Sequence, residues 1–190
     1  VGVDILPTQI EYAQARFGTD FRQFMAVKTL DGIEFPPKSF DYVTLIEVID
    51  HLPRIDIEVF LSKASRLLKP GGRLILTTPN YASMWPLVEL AINRWSDVSY
   101  EEQHVTKFNF FTASRKLRDI YCRFDDEFEV EFVTTTHFLA PFLAAISRRL
   151  SDRASSLVDH RRWRFPFGCM IMMSLKRREL TASASDAHGF

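Results

Sequence analysis

The chain has 190 residues, 46% of them hydrophobic, and its 24 Lys and Arg residues balance its 24 Asp and Glu residues. This length suits one domain with a sizeable core, and the zero net charge excludes a strong attraction of the whole chain to nucleic acid or acidic lipid. The two cysteines form no CxxC pair and no apolar run reaches the about 18 residues that span a membrane, so the composition is typical of a cytoplasmic protein.

Strands and helices alternate along the first half of the chain. Apolar runs predict strands at residues 1–4, 21–27, 42–46 and 73–78. Helical spacing predicts helices at residues 7–17, between Pro7 and Gly18, and at residues 57–68. This alternation predicts an α/β fold in which helices cover both faces of a parallel sheet.

The second half of the chain has a looser pattern. Its predicted elements are helices at residues 81–95 and 111–121 and strands at residues 128–136 and 169–176. Between these strands lies a helical insertion, residues 138–164, which is apolar at first and then rich in arginine. Such a segment can pack on the core, cover an apolar substrate, form a dimer contact or lie on a membrane surface.

The most informative stretch is residues 35–80, which read FPPKSFDYVTLIEVIDHLPRIDIEVFLSKASRLLKPGGRLILTTPN. A strand, an acidic turn with a histidine, a helix, a Lys-Pro-Gly-Gly turn and another strand follow one another there. This order resembles the second half of class I S-adenosylmethionine (SAM) dependent methyltransferases, in particular methyltransferase type 11/12-like domains. The resemblance implies a Rossmann-like, doubly wound and mostly parallel sheet, with an antiparallel last strand and the helical insertion between the last two strands.

The resemblance also implies a domain plan. Residues 1–80 would form the SAM-binding core, residues 81–180 the second half of the same domain, and residues 181–190 a small, polar, disordered tail. In the family, a first strand and a glycine-rich loop come before the strand that corresponds to residues 1–4. No glycine cluster of that kind occurs in this sequence, so the chain is expected to be truncated at its N terminus.

Four residues are assigned to cofactor binding by the resemblance. Asp4 follows the first strand, where an acid can bind both hydroxyls of the SAM ribose, and Ile5 lies next to it. Asp31 is the nearest acid to the position at which relatives contact the adenine, and Glu47 ends a later strand. Two alternatives are open: Asp4 can favour the start of the following helix through the helix dipole, and Asp31 can be a solvated loop residue.

An acidic turn contains Glu47, Asp50 and His51, which share one face if the turn is helical. Two carboxylates and an imidazole can hold Mg²⁺ or another divalent cation, or they can place a general base beside a methyl acceptor. The sequence EVIDHLP resembles the E-x-x-E-H motif of the superfamily, which binds a metal in the ubiquinone-pathway O-methyltransferases and in the small-RNA 2′-O-methyltransferases. A capping role or a contact with the cofactor pocket is the structural alternative.

His104 is a candidate metal ligand by the same resemblance, because it lies in a His-x-x-Lys-Phe context like that of the small-RNA branch, and its imidazole could also act as a general base. The alternative is that His104 lines the substrate pocket, as a histidine at this place does in ordinary members of the superfamily. The turn at residues 69–72, by contrast, is predicted to be structural, since glycine provides the backbone angles that end a helix and turn the chain. No stripe of basic and aromatic residues supports nucleic-acid binding.

The sequence therefore predicts a SAM-dependent methyltransferase that acts on a small or lipid-like metabolite, at oxygen. The alternatives are a non-catalytic methyltransferase-like partner subunit and a metal-dependent RNA 2′-O-methyltransferase. The insertion at residues 138–164 allows a contact with the membrane periphery, and the oligomeric state is not determined by the sequence.

Overall fold

The computed structural model describes residues 1–29, 32, 34–95, 104–137, 140–157 and 166–179. The chain divides into two compact units, Val1–Pro36 and Pro37–Phe190. No helix in the described parts of either unit is long and apolar enough to cross a membrane.

The first unit is a β-α-β motif. Strand β1 (Gly2–Asp4) pairs in parallel with β2 (Phe24–Ala26), and helix α1 (Pro7–Phe17) connects them. Pro7 begins the helix, where the fixed φ of proline is already helical, and the Gly18 N–H donates to the Gln14 carbonyl to close its last turn. These bounds of α1 match the predicted helix.

The second unit contains the remaining elements. They are β3 (Phe40–Ile46), a 3₁₀ turn (Ile49–His51), α2 (Arg54–Leu67), β4 (Leu68–Pro79), α3 (Trp85–Trp95), α4 (Ala113–Ile120), α5 (Phe124–Glu127), β5 (Phe128–Thr136), α6 (Ala140–Ile146), α7 (Arg148–Leu157) and β6 (Met170–Arg177). Their strands form a sheet with the order β3-β4-β6-β5. β3 and β4 are parallel, whereas β6 is antiparallel to both β4 and β5.

The core of this unit lies between α2 and the sheet. Ile57, Leu61 and Ala64 share one face of α2 and are nearly inaccessible to water, as are Leu74 and Leu76, which alternate along β4. Spacing of three and four residues on a helix and of two on a strand brings these side chains together. The packing holds the carboxyl ends of β3 and β4 in fixed positions, where the candidate site lies.

The predicted α/β class, the antiparallel last strand and the place of the insertion are confirmed. The insertion contributes α6 and α7 between β5 and β6. β4 is longer than predicted, since it begins at Leu68 and ends at Pro79, whose partner is Met170 on β6. The predicted tail lies outside the described residues, and the division into domains at residue 80 stays a prediction.

The Lys-Pro-Gly-Gly segment follows α2 as predicted, but it lies within β4, where the register with β3 shifts between Phe40 and Tyr42; this irregular stretch is called the turn below. Gly71 has a φ of 77°, a value that favours glycine. A Cβ on Gly72 would lie 2.9 Å from the Lys69 carbonyl oxygen and 3.0 Å from that of Asp41. Gly71 therefore provides the backbone angle of this segment, and Gly72 allows its close approach to β3.

Candidate functional site

The site begins at the carboxyl end of β3, where Glu47 follows the strand. Its φ of 51° lies in the left-handed region, which a residue with a side chain rarely adopts. The Glu47 N–H is shared between the carbonyl oxygen and the Oγ1 of Thr77 on β4, at 3.3 and 3.1 Å. Neighbouring parallel strands thus hold Glu47 in a strained backbone conformation at the sheet edge where α/β proteins bind ligands.

Asp50 and His51 lie on the 3₁₀ turn that follows. Asp50 is only 1% exposed, and within the described ranges neither of its carboxylate oxygens has a hydrogen-bond partner. The Nε2 atom of His51 lies 3.6 Å from Asp50 Oδ2, and the His51 side chain is 38% exposed. A buried carboxylate without donors costs free energy unless a ligand or a cation completes its contacts.

Hydrogen bonds made by Thr106, two residues after His104, hold His104 beside this 3₁₀ turn. The Thr106 N–H donates to the Asp50 carbonyl at 2.8 Å, and the Thr106 hydroxyl donates to the Leu52 carbonyl at 2.7 Å. As a result, Nε2 of His104 lies 3.3 Å from Asp50 Oδ2, and the His51 and His104 rings are 5.1 Å apart between centroids. The structure therefore brings together three residues that the sequence proposed as metal ligands.

The geometry of these three side chains fits a divalent cation. One ligand atom from each of Asp50, His51 and His104 can be chosen so that all lie within 4.8 Å of one another. Such a set of one carboxylate and two imidazoles is a common environment for a divalent transition metal. The unpartnered Asp50 oxygens provide acceptors that a cation would satisfy.

Glu47, which the sequence also proposed as a metal ligand, is not among the three residues whose ligand atoms lie within 4.8 Å of one another, although the charges of Asp50 and His51 act on its carboxyl group. Its Oε1 is also buried without a hydrogen-bond partner among the described residues. Burial raises the pKa of the Glu47 carboxyl, with a smaller increase from the charge of Asp50, while the Thr77 hydrogen bond and His51 act in the opposite direction. A positive charge nearby would favour the ionised form of this carboxyl group.

A second group of side chains contacts the opposite nitrogen of His104. The hydroxyl oxygen of Tyr81 lies 2.8 Å from Nδ1, and Glu89 Oε1 lies 3.7 Å from the same atom. The sequence did not single out either residue. A signal was present, because Glu89 is the one acid in the apolar α3 segment WPLVELAINRW and is 6% exposed.

The Asn80 side chain connects the end of β4 to other segments of the chain through hydrogen bonds. Its Nδ2 donates to the carbonyls of Pro166 and Gly168, and its Oδ1 accepts from the N–H groups of Ala82 and Phe110. These contacts use the full hydrogen-bonding capacity of the buried amide. This geometry is typical of a structural residue in a turn.

The residues assigned to SAM binding lie in the first unit, apart from Glu47. Asp4 is an exposed residue at the carboxyl end of β1, and its Oδ1 accepts from the Leu6 N–H at 2.8 Å. This position fits a ribose-binding acid, and the hydrogen bond also fits the alternative role at the start of α1. Ile5 is 67% exposed beside it, whereas Asp31 lies outside the described residues.

Comparisons with known proteins agree with this architecture. Residues 1–120 match the family model of a methyltransferase domain. The chain is 33% identical over 96 residues, 48% of its length, to a ubiquinone biosynthesis O-methyltransferase from Bradyrhizobium diazoefficiens. It is 29% identical over 108 residues, 52% of its length, to a 2-methyl-6-phytyl-1,4-hydroquinone methyltransferase from Synechocystis sp.. These matches span only 35% and 33% of the two relatives, about a third of their length.

A solved structure shows the same fold at low sequence identity. It is an S-adenosylmethionine dependent methyltransferase from Mesorhizobium loti, which aligns with a TM-score of 0.57 and 18% identity. The alignment covers 93% of this chain and 79% of the other. Because the family model covers more than half of the sequence, the chain belongs to the methyltransferase domain family, within the class I SAM-dependent methyltransferase superfamily.

Proposed function

We propose that this protein transfers a methyl group from SAM to a hydroxyl oxygen of a small, lipid-like acceptor, with a divalent cation at Asp50, His51, His104 and Glu47. The observation that carries the proposal is the buried Asp50 carboxylate, which has no hydrogen-bond partner in the described residues and faces two histidines. Membership of the methyltransferase family supports the reaction class.

SAM carries an activated methyl group, so that the protein has to align the acceptor and exclude water. In this proposal Asp4 binds the ribose hydroxyls of SAM, Ile5 packs beside the nucleoside, and Asp31 contributes near the adenine. The family resemblance also gives Glu47, which follows β3, a role in cofactor binding. The exposed position of Asp4 at the end of its strand supports its role.

A hydroxyl acceptor must lose its proton during the transfer. His51 and His104 are within reach of the same carboxylate and provide two imidazoles that can take the proton. A bound cation would lower the pKa of the hydroxyl and give the Asp50 oxygens the partner that they lack. The site geometry supports proton transfer to a histidine as well as activation of the hydroxyl by a bound cation. A chelator that removes the cation should abolish only the second route.

An apolar acceptor is supported by the surroundings of the site. Apolar side chains within three positions of site residues in the chain are exposed, namely Val48, Met84, Leu87 and Val105. The two relatives are named for ubiquinone biosynthesis and for a phytyl hydroquinone. A quinol with an apolar tail combines a reactive hydroxyl with a chain that such side chains can bind.

We also propose that the insertion contacts the membrane periphery, where such acceptors are found. Ile146 is 78% and Leu150 47% exposed, and the exposed Arg148 and Arg149 lie between them in the chain. Apolar side chains flanked by arginines favour an interface with anionic lipid. Sedimentation with anionic vesicles should decrease when both apolar residues become serine, and unchanged sedimentation would remove the membrane contact from the proposal.

The test of function uses protein expressed from its entire reading frame. S-adenosylhomocysteine is titrated by calorimetry, and transfer of a radiolabelled methyl group to short-chain quinols and catechols is measured with and without a chelator. Asp4→Asn should weaken cofactor binding while Asp20→Asn, a change at another exposed acid of the first unit, should not.

The acceptor reaction has its own matched pair of variants. His104→Asn should reduce methyl transfer by at least about 100-fold, as expected for loss of a metal ligand or a base, whereas His137→Asn should leave it unchanged. His137 is exposed, and asparagine tolerates its φ of 60°.

The other outcomes identify the rival functions. A well-folded protein that does not bind S-adenosylhomocysteine would support the non-catalytic partner subunit. Chelator-sensitive methylation of RNA 3′ ends, lost in His104→Asn, would support the RNA 2′-O-methyltransferase.

A further inference from the structure

We infer that Tyr81 and Glu89 are positioning residues that hold the His104 ring with its proton on Nδ1, so that Nε2 presents an electron pair to the Asp50–His51 side of the site. The inference rests on the proposed function, because it specifies how the candidate ligand His104 is prepared. Neither residue contacts the acceptor or the cofactor in this proposal.

Tyr81 and Glu89 face the Nδ1 atom of His104 in surroundings that are largely shielded from water. The Tyr81 oxygen lies 2.8 Å from Nδ1, which is a hydrogen-bond distance. Glu89 Oε1 is 3.7 Å from Nδ1, and both His104 and Glu89 are almost fully buried. In such surroundings the orientation of each proton matters, since water cannot replace a lost partner.

Counting protons shows which group donates in the Tyr81–His104 contact. Tyr81 has one hydroxyl proton, and its side chain also forms a hydrogen bond with Glu89, whose carboxylate oxygens accept. Burial and this carboxylate both raise the pKa of Tyr81, so the hydroxyl keeps its proton. Once the proton points to Glu89, the Tyr81 oxygen is an acceptor, and Nδ1–H of His104 is the donor in the 2.8 Å contact.

The neutral ring then carries no proton on Nε2. This atom lies 3.3 Å from Asp50 Oδ2, so that two acceptors face each other in a buried place. Their electron pairs repel unless a cation, or the hydroxyl proton of the methyl acceptor, comes between them. The Glu89–Tyr81–His104 chain would thus prepare the Nε2 side to bind a positive charge, as carboxylates do for many metal-binding histidines.

The fold holds this chain of contacts in place from two elements. Tyr81 follows β4, and its N–H donates to the Phe108 carbonyl at 2.9 Å. Glu89 comes from α3, one turn after Trp85, whose ring lies 6.3 Å from that of His104 between centroids. Neither element can shift without disturbing the position of the histidine.

The experiment is long-range ¹H–¹⁵N correlation NMR on cation-free protein, which distinguishes the two neutral tautomers of histidine. The His104 signals are assigned with His104→Gln, and spectra are taken about two pH units above the ordinary imidazole pKa. We expect the Nδ1–H form in the natural sequence and a shift toward the Nε2–H form in Tyr81→Phe. A ring protonated on Nε2, or on both nitrogens, in the natural sequence overturns the inference.

The matched control is Tyr121→Phe. Tyr121 is also buried and donates to a glutamate, Glu127, at 2.6 Å, but it lies outside the site. This change should leave the His104 tautomer as it was. Glu89→Gln is the second test, because a carboxamide can donate as well as accept and should give a mixture of tautomers; a pure Nδ1–H form in this variant removes Glu89 from the inference.

A titration with Mn²⁺ and Zn²⁺ separates the inference from the proposed function. Tyr81→Phe should lower the affinity about 10- to 100-fold, the usual effect of losing the partner of a metal-binding histidine. An unchanged affinity, in a protein that binds the cation, contradicts the inference. If the natural sequence has the Nδ1–H tautomer but binds no cation, the positioning role stands and the cation is removed from the proposed function.

Discussion

The β3–β4 pair has a turn beside its first residues, at Leu68–Gly72, and the candidate site beyond its last, at Glu47–His51. At the turn, Lys69 Nζ lies 2.9 Å from both oxygens of Asp41, and buried Arg177 donates to the Leu68 carbonyl. At the site, the Glu47 Oε1 and both Asp50 oxygens are buried without hydrogen-bond partners in the described part of the chain.

The turn end and the site end of the β3–β4 pair also differ in backbone strain. The left-handed φ of 77° at the turn belongs to Gly71, which adopts it without steric cost, whereas the φ of 51° at the site belongs to Glu47. The turn end thus follows the ordinary rules of stability, and the site end departs from them in both backbone and polar contacts. Departures of this kind are expected where a protein binds a ligand, because the ligand supplies the missing contacts.

The largest effect that would test this comparison is expected for Asp50→Asn. The change removes the charge that faces both histidines, so cation affinity should decrease by at least about 100-fold, which corresponds to about 2.7 kcal/mol. The free energy of unfolding of the cation-free protein should not decrease, since an unpartnered buried charge is lost.

Calorimetric cation titration and urea unfolding measure the two quantities for Asp50→Asn. Asp41→Asn is the matched control at the turn end: it should leave cation binding unchanged and cost less than about 1 kcal/mol, because its ion pair is exposed. Equal cation affinities for the two variants would contradict a metal-binding role of Asp50.

Gly72→Ala tests the turn end and should destabilise the protein by about 2 kcal/mol. Its new Cβ would lie 2.9 and 3.0 Å from two backbone oxygens, which cannot move away easily. Urea unfolding measures the loss, and Gly32→Ala is the control, because the nearest described neighbour of its Cβ would be 3.9 Å away. A stable Gly72→Ala protein would show that the turn tolerates strain as the site does.

Glu47→Gly should stabilise the protein by about 1 kcal/mol, because glycine relieves the left-handed strain and the buried carboxyl is removed. The same variant should bind the cation more weakly. Lys38→Gly relieves a similar φ of 57° at a residue outside the site and should stabilise the protein by less. A loss of stability in Glu47→Gly, measured by thermal unfolding beside Lys38→Gly, would mean that the site end is not strained.

Tyr121→Phe is expected to have the smallest effect at neutral pH, about 0.5 kcal/mol, because Arg123 still pairs with the Glu127 carboxylate. Burial, and then the hydrogen bond to Glu127, raise the pKa of Tyr121 from 10.0 to about 12. The folded protein therefore holds this proton more tightly than the unfolded chain does, and the resulting stability is complete below pH 10 and is lost as the pH rises toward 12.

Urea unfolding between pH 10 and pH 12 should show less loss of stability for Tyr121→Phe than for the natural sequence. The control is Tyr42→Phe, since Tyr42 is 57% exposed. A pH dependence of Tyr121→Phe identical to that of the natural sequence would show that this buried tyrosine is not the group that titrates.

Much of the fold could be predicted from local patterns. Helix α1 was predicted with the bounds of Pro7 and Phe17, since proline and glycine act on the chain next to them. The alternating strands and the structural role of the Lys-Pro-Gly-Gly turn were predicted for the same reason. The length of β4 was not, because the pairing of Pro79 with Met170 depends on a strand far away in sequence.

Some residues of the candidate site could likewise be predicted from the sequence, and others could not. The spacing of Glu47, Asp50 and His51 within one turn could be seen in the sequence, and family resemblance pointed to His104. Tyr81 and Glu89 could not be chosen in advance, since a tyrosine after a strand and an acid in an apolar helix are common at sites without function. Their importance appears only from the 2.8 and 3.7 Å distances to one nitrogen of His104.

The α/β alternation, the turn glycines and the acidic turn could be predicted from local patterns, because each depends on residues within a few positions of one another. Packing of distant segments determines that the buried Asp50 oxygens have no hydrogen-bond partner among the residues that the structure describes, that His104 lies 3.3 Å from one of them, and that Tyr81 and Glu89 contact the other side of the ring. Burial of a side chain and sharing of its proton depend on which segments pack around it. Residues 50, 81, 89 and 104 lie in separate segments of the chain and become neighbours only when the sheet and α3 pack together.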